Sequence, residues 1–279
     1  MSGFSPDWLA LREPADHAAR NPQVLAAVGA AFAARQSLSV VDLGSGAGSN
    51  LRGSYQALPA RQHWTLVDAD SRLLSTARRK LAAWADDAQE RGEELVLRKA
   101  DKLLTVDFRQ ADLTKDLEWV LGWQPDLVTA AALFDLASAR WLERFVASVV
   151  SLRLPLYAVL SYDGRESWEP AHAEDQRMLA AFHHHQRGDK GFGPAAGPDS
   201  TEVLAQAFRK AGAAVTVGES PWRLGGDDAD LIRELAQGIA AAVGETGHVA
   251  PDAIARWLES KQGATTVRIG HQDLWARPM

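Results

Sequence analysis

The chain has 279 residues, of which 46% are hydrophobic and 24% charged, a composition that fits one large domain with a sizeable core. Its net charge is −6, so it has no general attraction for nucleic acid or for an anionic membrane surface. It contains no cysteine, which excludes disulfides and thiolate chemistry. Because it also shows no signal peptide and no apolar run of about 18 residues, we expect a cytoplasmic protein without a membrane span.

The predicted elements alternate between helices and strands. Two N-terminal helices, at 6–20 and 22–36, precede a short buried strand at 38–43 that ends in a glycine cluster. Four further strands and the three helices between them follow in chain order: a helix at 49–58, a strand at 64–68, a helix at 71–88, a strand or hairpin within 94–112, a strand at 126–131, a helix at 139–152 and a strand at 156–161. The alternation predicts an α/β fold, a parallel sheet with helices on both faces.

The second half of the chain interrupts this alternation twice. Residues 163–199 are predicted to form a lid, with a helix at 171–186 and a loop rich in glycine and proline. A helix that ends at Gly212 follows, then a sixth strand at 213–217, a helical insertion at 227–263 and a seventh strand at 265–269. We therefore expect a single domain over 1–279 that begins with the helices at 6–36.

The most informative segment is the turn after the first strand, which reads Asp42-Leu-Gly44-Ser45-Gly46-Ala-Gly48. Alternating glycines allow a sharp turn and let a ligand approach the backbone, because no Cβ intervenes. The dinucleotide motif G-x-G-x-x-G needs its third glycine at position 49, which is Ser49, and no Gly-Lys-Ser/Thr follows for a P-loop. The segment therefore predicts a ligand at the carboxyl end of a central strand, where open α/β sheets bind small molecules.

Acidic side chains gather at the same strand ends. Asp42, Asp68, Asp70 and Asp112 all follow or end predicted strands, and the glycine turn has no lysine or arginine before Arg52. A phosphate would call for such a basic residue, whereas like charges that repel one another favour a cationic ligand. The alternative is that the glycines only form a turn and that these aspartates cap the following helices.

The sequence resembles the class I S-adenosylmethionine-dependent methyltransferases. Their first motif is similar to Asp42–Gly48, Asp68 stands where the family has an acidic residue that takes both ribose hydroxyls, and Ala111-Asp112-Leu113 is similar to the segment that contacts adenine. The resemblance implies a seven-stranded, mostly parallel Rossmann-like sheet with an antiparallel last strand, with S-adenosylmethionine as cofactor and S-adenosylhomocysteine as product. It also implies cofactor contacts from Asp42, Gly44, Ser45, Gly46, Gly48, Asp68, Ala69, Asp70, Asp112, Leu113 and Ala131.

The acceptor side carries no diagnostic motif. Ala131–Asp135 lacks the Asn/Asp-Pro-Pro-Tyr/Phe segment of nucleic-acid methyltransferases, which favours a small-molecule acceptor and no nucleic-acid or membrane partner. The candidates for orienting or deprotonating the acceptor are Asp135, Tyr162, His172 and His183. His183–His185 point about 100° apart on a helix, so no metal site is predicted, and a structural role for each histidine stays open.

Two other functions stay open at this point. A methyltransferase-like domain without catalysis would bind the cofactor as a sensor, and residues alone do not separate this from an enzyme. An NAD(P)-dependent oxidoreductase would need the third glycine and usually a Tyr-x-x-x-Lys pair, and the sequence has neither.

Overall fold

A computed structural model describes residues 4–278 of the protein. Its ten strands are β1 (Ser37–Leu43), β2 (Arg61–Asp68), β3 (Asp87–Arg91), β4 (Glu94–Lys99), β5 (Lys102–Gln110), β6 (Leu127–Ala131), β7 (Leu156–Glu169), β8 (Ala214–Glu219), β9 (Trp222–Leu224) and β10 (Thr266–Arg277). Its ten helices are α1 (Pro6–Ala19), α2 (Pro22–Phe32), α3 (Ser49–Ser54), α4 (Ser71–Trp84), α5 (Leu117–Leu121), α6 (Ala139–Ser151), α7 (Asp175–Gln186), α8 (Ser200–Lys210), α9 (Ala229–Thr246) and α10 (Pro251–Gln262).

All ten strands form one sheet in the order β3-β4-β5-β2-β1-β6-β7-β10-β8, with β9 paired to β10. The five central strands, from β5 to β7, are parallel to one another. The strand β10 is antiparallel to both β7 and β8. The structure therefore confirms the predicted mostly parallel α/β sheet with an antiparallel last strand.

The strand number differs from the predicted seven. The hairpin β3–β4 extends the sheet beyond β5, and β9 adds a three-residue pair beside β10. The strands β7 and β10 are also longer than predicted, because their ends pair with each other from Thr266 opposite Glu169 onwards. Residues 163–169 therefore lie in β7, not in a lid, since this pairing satisfies their backbone groups.

Several of the predicted helices have different bounds in the structure. The helix predicted to reach 58 ends at Ser54, and a single 3-10 turn follows it. The helix predicted to reach 88 ends at Trp84, because the chain must enter β3 at Asp87. The helix predicted from 171 begins at Asp175, after the Glu169–Pro170 step.

Three apolar clusters hold the layers together. One packs α5, α6 and α8 on one face of the sheet, and a second packs α2 and α4 on the other. The third lies between α7, α9 and α10 and the protruding ends of β7 and β10. No helix within residues 4–278 is both long enough and apolar enough to cross a membrane.

The strand order fixes where a ligand can bind. β1 lies between β2 and β6, because the chain passes from β1 to β2 on one side and later crosses from β5 back to β6 on the other side of β1. At such a point the loops after neighbouring strands part and leave a crevice at their carboxyl ends. The glycine turn after β1 lies at this crevice.

Candidate functional site

A cleft of about 510 Å³ lies at the carboxyl ends of the central strands, within the size range of small-molecule sites. The predicted cofactor contacts that line it come from the turns after β1, β2, β5 and β6: Gly44, Ser45, Gly46, Asp68, Ala69, Asp70, Asp112, Leu113 and Ala131. Residues separated by up to 87 positions in sequence thus meet in one cavity. Nine of the eleven residues predicted to contact the cofactor lie in this lining, whereas Asp42 and Gly48 lie outside it within the described residues.

The glycine turn has the conformation that only glycine adopts easily. Gly44, Gly46 and Gly48 have φ angles of 62°, 53° and 77°. A Cβ on Gly44 would lie 3.0 Å from Leu133 Cδ1, and one on Gly46 would lie 3.3 Å from Leu9 Cδ1. Side chains at these two positions would therefore fill the space from which a ligand approaches the backbone.

Gly48 serves the packing of the turn. It is the N-cap of α3, and a Cβ on it would lie 3.4 Å from both Ala77 and Leu81 of α4. Its lack of a side chain lets the turn pack directly on that helix, on the side away from the cleft.

Asp68 joins β2 to the glycine turn. Its Oδ2 accepts a hydrogen bond from the Gly46 amide at 2.8 Å, and its Oδ1 accepts one from the Asp70 amide at 2.9 Å. Burial raises the pKa of this carboxyl group above its ordinary value. Because a carboxylate oxygen can accept two hydrogen bonds, each oxygen keeps one acceptor position for a ligand in the cleft.

Asp42 lies beneath the turn, fully buried. Its Oδ1 accepts a hydrogen bond from Asn50 Nδ2 at 2.7 Å, and its Oδ2 has no partner within residues 4–278. Burial raises the pKa of this carboxyl group to about 7. Asn50 also bonds Thr129 of β6, so Asp42 ties the start of α3 to the sheet. Its predicted role as a cofactor contact stays a proposal that the lining does not support.

Asp70 and Asp112 both line the cleft and accept local hydrogen bonds. Asp70 is the N-cap of α4 and pairs with Arg72, whose hydrogen bond lowers the pKa of Asp70 to about 2. Asp112 accepts hydrogen bonds from the amide and hydroxyl of Thr114, which lower its pKa to about 2. The capping alternative raised by the sequence is therefore correct for Asp70, whereas Asp112 stabilises the turn before α5, whose N-cap is Asp116.

The comparisons with known proteins find structural likeness only. No protein-family model and no curated protein matches the sequence. A cyclopropane-fatty-acyl-phospholipid synthase-like protein from Lactobacillus casei superposes with a TM-score of 0.53 at 15% identity, over 97% of this chain and 94% of that one. The YcgJ protein from Bacillus subtilis gives 0.50 at 14% identity, over 92% and 99%.

A SAM-dependent methyltransferase from Thiobacillus denitrificans, in complex with S-adenosylhomocysteine, gives 0.45 at 16% identity, over 98% and 99% of the two chains. The five parallel strands and the antiparallel β10 between β7 and β8 form the mostly parallel Rossmann-like sheet that the sequence predicts. The protein has the class I methyltransferase fold.

In this class I fold, the four predicted acceptor-side residues lie outside the cleft lining that the described residues form. Tyr162 donates a hydrogen bond to Glu166 Oε1 at 2.6 Å, and its hydroxyl lies 3.1 Å from His183 Nε2. His172 binds its own turn, because its Nδ1 accepts from the Glu174 amide.

Asp135 follows two residues after Leu133 of the cleft. Its Oδ1 is buried without a hydrogen-bond partner in the described chain, and burial raises its pKa to about 6. Catalytic roles for Asp135, Tyr162, His172 and His183 therefore remain hypotheses. The structure brings Tyr162 and His183 within hydrogen-bond distance of each other, and neither side chain lines the cleft that the described residues form.

Helix α1 supplies lining residues that sequence reasoning missed. Arg12 donates two hydrogen bonds to Asp16, at 2.9 and 3.1 Å, and its guanidinium lies 5.0 Å from the centre of the Trp222 ring. Arg20 donates to Asn50 Oδ1 at 2.9 Å and to Ser54 at 3.0 Å. Arg12, Asp16 and Arg20 all line the cleft. The Arg12/Asp16 spacing of four was visible in the sequence, but it is common on solvated helices.

Part of the cleft wall is apolar. It is formed by side chains from the segment before α1, from α1, from the turn after β6, from β7 and from the loop before α8: Phe4, Leu9, Leu133, Leu136, Leu160 and Phe192. Apolar walls exclude water from a reaction and favour an acceptor with apolar surface.

Proposed function

We propose that the protein is an S-adenosylmethionine-dependent methyltransferase that acts on a small-molecule acceptor. The observation that carries the proposal is the open cleft in which the Gly44–Gly46 backbone faces the Asp68 carboxylate. An ionised carboxylate with free acceptor positions matches a vicinal diol such as the ribose of this cofactor. The fold, shared with the methyltransferase class, supports the same conclusion.

The residues of the cleft fit the other parts of the cofactor. S-adenosylmethionine carries a sulfonium and an ammonium but no phosphate, and the carboxylates of Asp68, Asp70 and Asp112 line the cleft. The close-approach turn at Gly44–Gly46 suits the methionine portion, and Asp112-Leu113 suits the adenine. Asp42 and Gly48 would act indirectly, through the shape of the turn.

The bound cofactor would supply an electrophilic methyl group. The chain's own contribution would be to hold the acceptor in line with that group, and orientation of this kind is worth about 7–11 kcal/mol. Leu133, Leu136 and Phe192 would keep water out. A residue that accepts a proton is needed only for an acceptor that must lose one.

The same proposal includes the number of domains, the lid and the cellular location. We infer one domain over 1–279, in which 6–36 and the helical insertion 227–263 surround the sheet. Phe192 lies in the proposed lid at 163–199 and lines the cleft, which supports a covering role for the part of that segment after β7. A cytoplasmic location is supported by the absence of cysteine.

A second function is favoured by one observation. None of the four predicted catalytic side chains lines the cleft within the described residues, as expected for a domain that binds the cofactor as a sensor without transferring its methyl group. The fold is the same in both cases, so a turnover measurement has to separate them.

The experiment has two stages. S-adenosylhomocysteine at a hundredfold excess over Kd should stabilise the protein by about 2.7 kcal/mol, and NAD should leave the melting temperature unchanged. Stabilisation by NAD alone would contradict the proposal. Methyl transfer from labelled S-adenosylmethionine to a panel of small apolar acceptors then distinguishes the enzyme from the sensor.

A further inference from the structure

Three potential metal ligands lie together on the sheet, away from the cleft. His63 of β2, Glu94 of β4 and Asp107 of β5 each offer one donor atom, and the three atoms lie within 4.8 Å of one another. His63 precedes Asp68 by five residues on the same strand, about 16 Å at about 3.3 Å per residue. None of the three lines the cleft.

The pleat of the sheet explains why these side chains meet. Their chain neighbours Trp64, Leu95 and Val106 are buried in the cluster with α4. Successive side chains on a strand point to opposite faces, so the three polar residues share the other face. His63 is half exposed there, so a metal ion from solution has access.

Two carboxylates on this face lie close together. In the β4–β5 register, Leu95 pairs with Val106, which places Glu94 and Asp107 opposite each other. Like charges in this position destabilise a sheet. Arg109 is shared between Asp107, at 3.3 Å, and Glu93, at 3.1 Å, and in the described structure Glu94 makes no salt bridge within 4 Å.

The geometry is close to that of a metal centre. His63 Nε2 lies 2.7 Å from Asp107 Oδ2, whereas donors around a tetrahedral zinc ion lie about 3.3–3.6 Å apart at bond lengths of about 2.0–2.2 Å. Small side-chain rotations would open that pair and bring Glu94 nearer. Arg109 Nη2 donates a hydrogen bond to Asp107 Oδ1 at 3.3 Å. A hydrogen bond of this kind, to a ligand and not to the metal, orients the ligating carboxylate.

We propose that His63, Glu94 and Asp107 bind one divalent transition-metal ion of the zinc class. One imidazole and two carboxylates favour Zn²⁺, Co²⁺ or Ni²⁺ over Mg²⁺, and a water molecule would complete the tetrahedron. The ion would link β2, β5 and β4, and it would thereby fasten the β3–β4 hairpin to the central sheet. The site lies outside the cleft lining, so it is separate from the proposed methyl transfer.

The test is titration of the full-length protein with Zn²⁺, followed by calorimetry, with Co²⁺ absorption as a second readout. We expect one ion per chain, and affinity more than about tenfold weaker in His63→Ala and in Glu94→Gln. The matched control is the double variant His184→Ala/His185→Ala. It removes a second histidine cluster, where His184 stacks on His248 and His185 lies 3.1 Å from Glu245.

The outcomes separate clearly. Zinc affinity that the control retains and both site variants lose supports the site. Absence of binding at about 100 µM Zn²⁺, unchanged affinity in His63→Ala, or loss of binding in the histidine control overturns it. Because Glu94→Gln keeps the side-chain shape, it should fold like the wild type, and its melting temperature should no longer rise with zinc.

Discussion

At the scale of single residues, Asp68 has the central position, because it holds the Gly46 amide and faces the cleft. We expect Asp68→Asn to weaken S-adenosylhomocysteine binding about 10- to 100-fold, since a hydrogen bond to a charged group contributes about 1.5–3 kcal/mol. Titration calorimetry measures this. The control is Asp227→Asn, which changes an exposed aspartate outside the cleft lining. Equal losses in the two variants would contradict the assignment.

Gly46 tests whether the turn needs glycine. With φ at 53° and Leu9 Cδ1 at 3.3 Å from an added Cβ, Gly46→Ala should destabilise the fold by about 1–2 kcal/mol and weaken cofactor binding. Gly238 lies inside α9 with open space around it, so Gly238→Ala should stabilise by about 0.5–1 kcal/mol. Urea unfolding measures the free energy of unfolding of both variants. An unchanged free energy of unfolding for Gly46→Ala would contradict the need for glycine at this position.

Asp42 should make stability depend on pH. Burial raises its pKa from 3.8 to about 7, so the folded state holds a proton that the unfolded state has released. The folding free energy that this carboxyl contributes is therefore lost as pH rises from about 4 to about 7. Asp42→Asn cannot ionise and should gain about 2–3 kcal/mol relative to the wild type between about pH 5 and pH 8.

Urea unfolding at the two pH values measures this difference. The exposed Asp227→Asn variant is the control, and its difference from the wild type should stay constant with pH. A constant difference for Asp42→Asn as well would show that the buried carboxyl does not govern the pH dependence.

At the scale of elements, helix α1 is held over the glycine turn by a nearly buried ion pair. Arg52 of α3 donates to both oxygens of Glu13, at 2.6 and 2.8 Å, and only 5% of the Arg52 side chain is exposed. Glu13→Gln should cost about 1–3 kcal/mol, because it leaves a buried guanidinium without its counter-charge. It should also weaken cofactor binding, since α1 lines the cleft.

The matched control is Asp252→Asn, which breaks an exposed pair with Arg256 on α10. Such pairs contribute about 0.2–1 kcal/mol at most, and α10 is not part of the cleft lining. Denaturant unfolding and calorimetry on the same samples check both effects. If Glu13→Gln behaved like Asp252→Asn, α1 would not depend on the Arg52 pair.

The sequence allowed the central elements to be predicted but not the edges. β1, β6 and the first half of β7 are short, mostly apolar segments, which is typical of buried parallel strands. β3 is exposed along its whole length and carries no apolar pattern, so only its pairing with β4 makes it a strand. The far ends of β7 and β10 depend on each other across about a hundred residues, and local propensity does not encode such pairing.

The residues of the candidate site also fall into a predictable group and an unpredictable group. Gly44, Gly46 and Asp68 were predictable because motif spacing and strand ends fix their positions. Arg12 and Arg20 were not, because a helix reads as amphipathic whether its polar side chains face solvent or a cleft. Only the packing of α1 on α3 and β9 turns these arginines towards the site.

At the scale of the whole molecule, the glycine turn lies where apolar layers on both faces of the sheet end and α1 begins to cover the cleft. We predict that this junction holds an adenosyl sulfonium. The most direct test is a crystal structure with S-adenosylhomocysteine. The predicted result is a ribose whose two hydroxyls donate to Asp68 at about 2.5–3.0 Å. S-adenosylhomocysteine bound at another place, or a ribose that does not contact Asp68, would contradict this prediction.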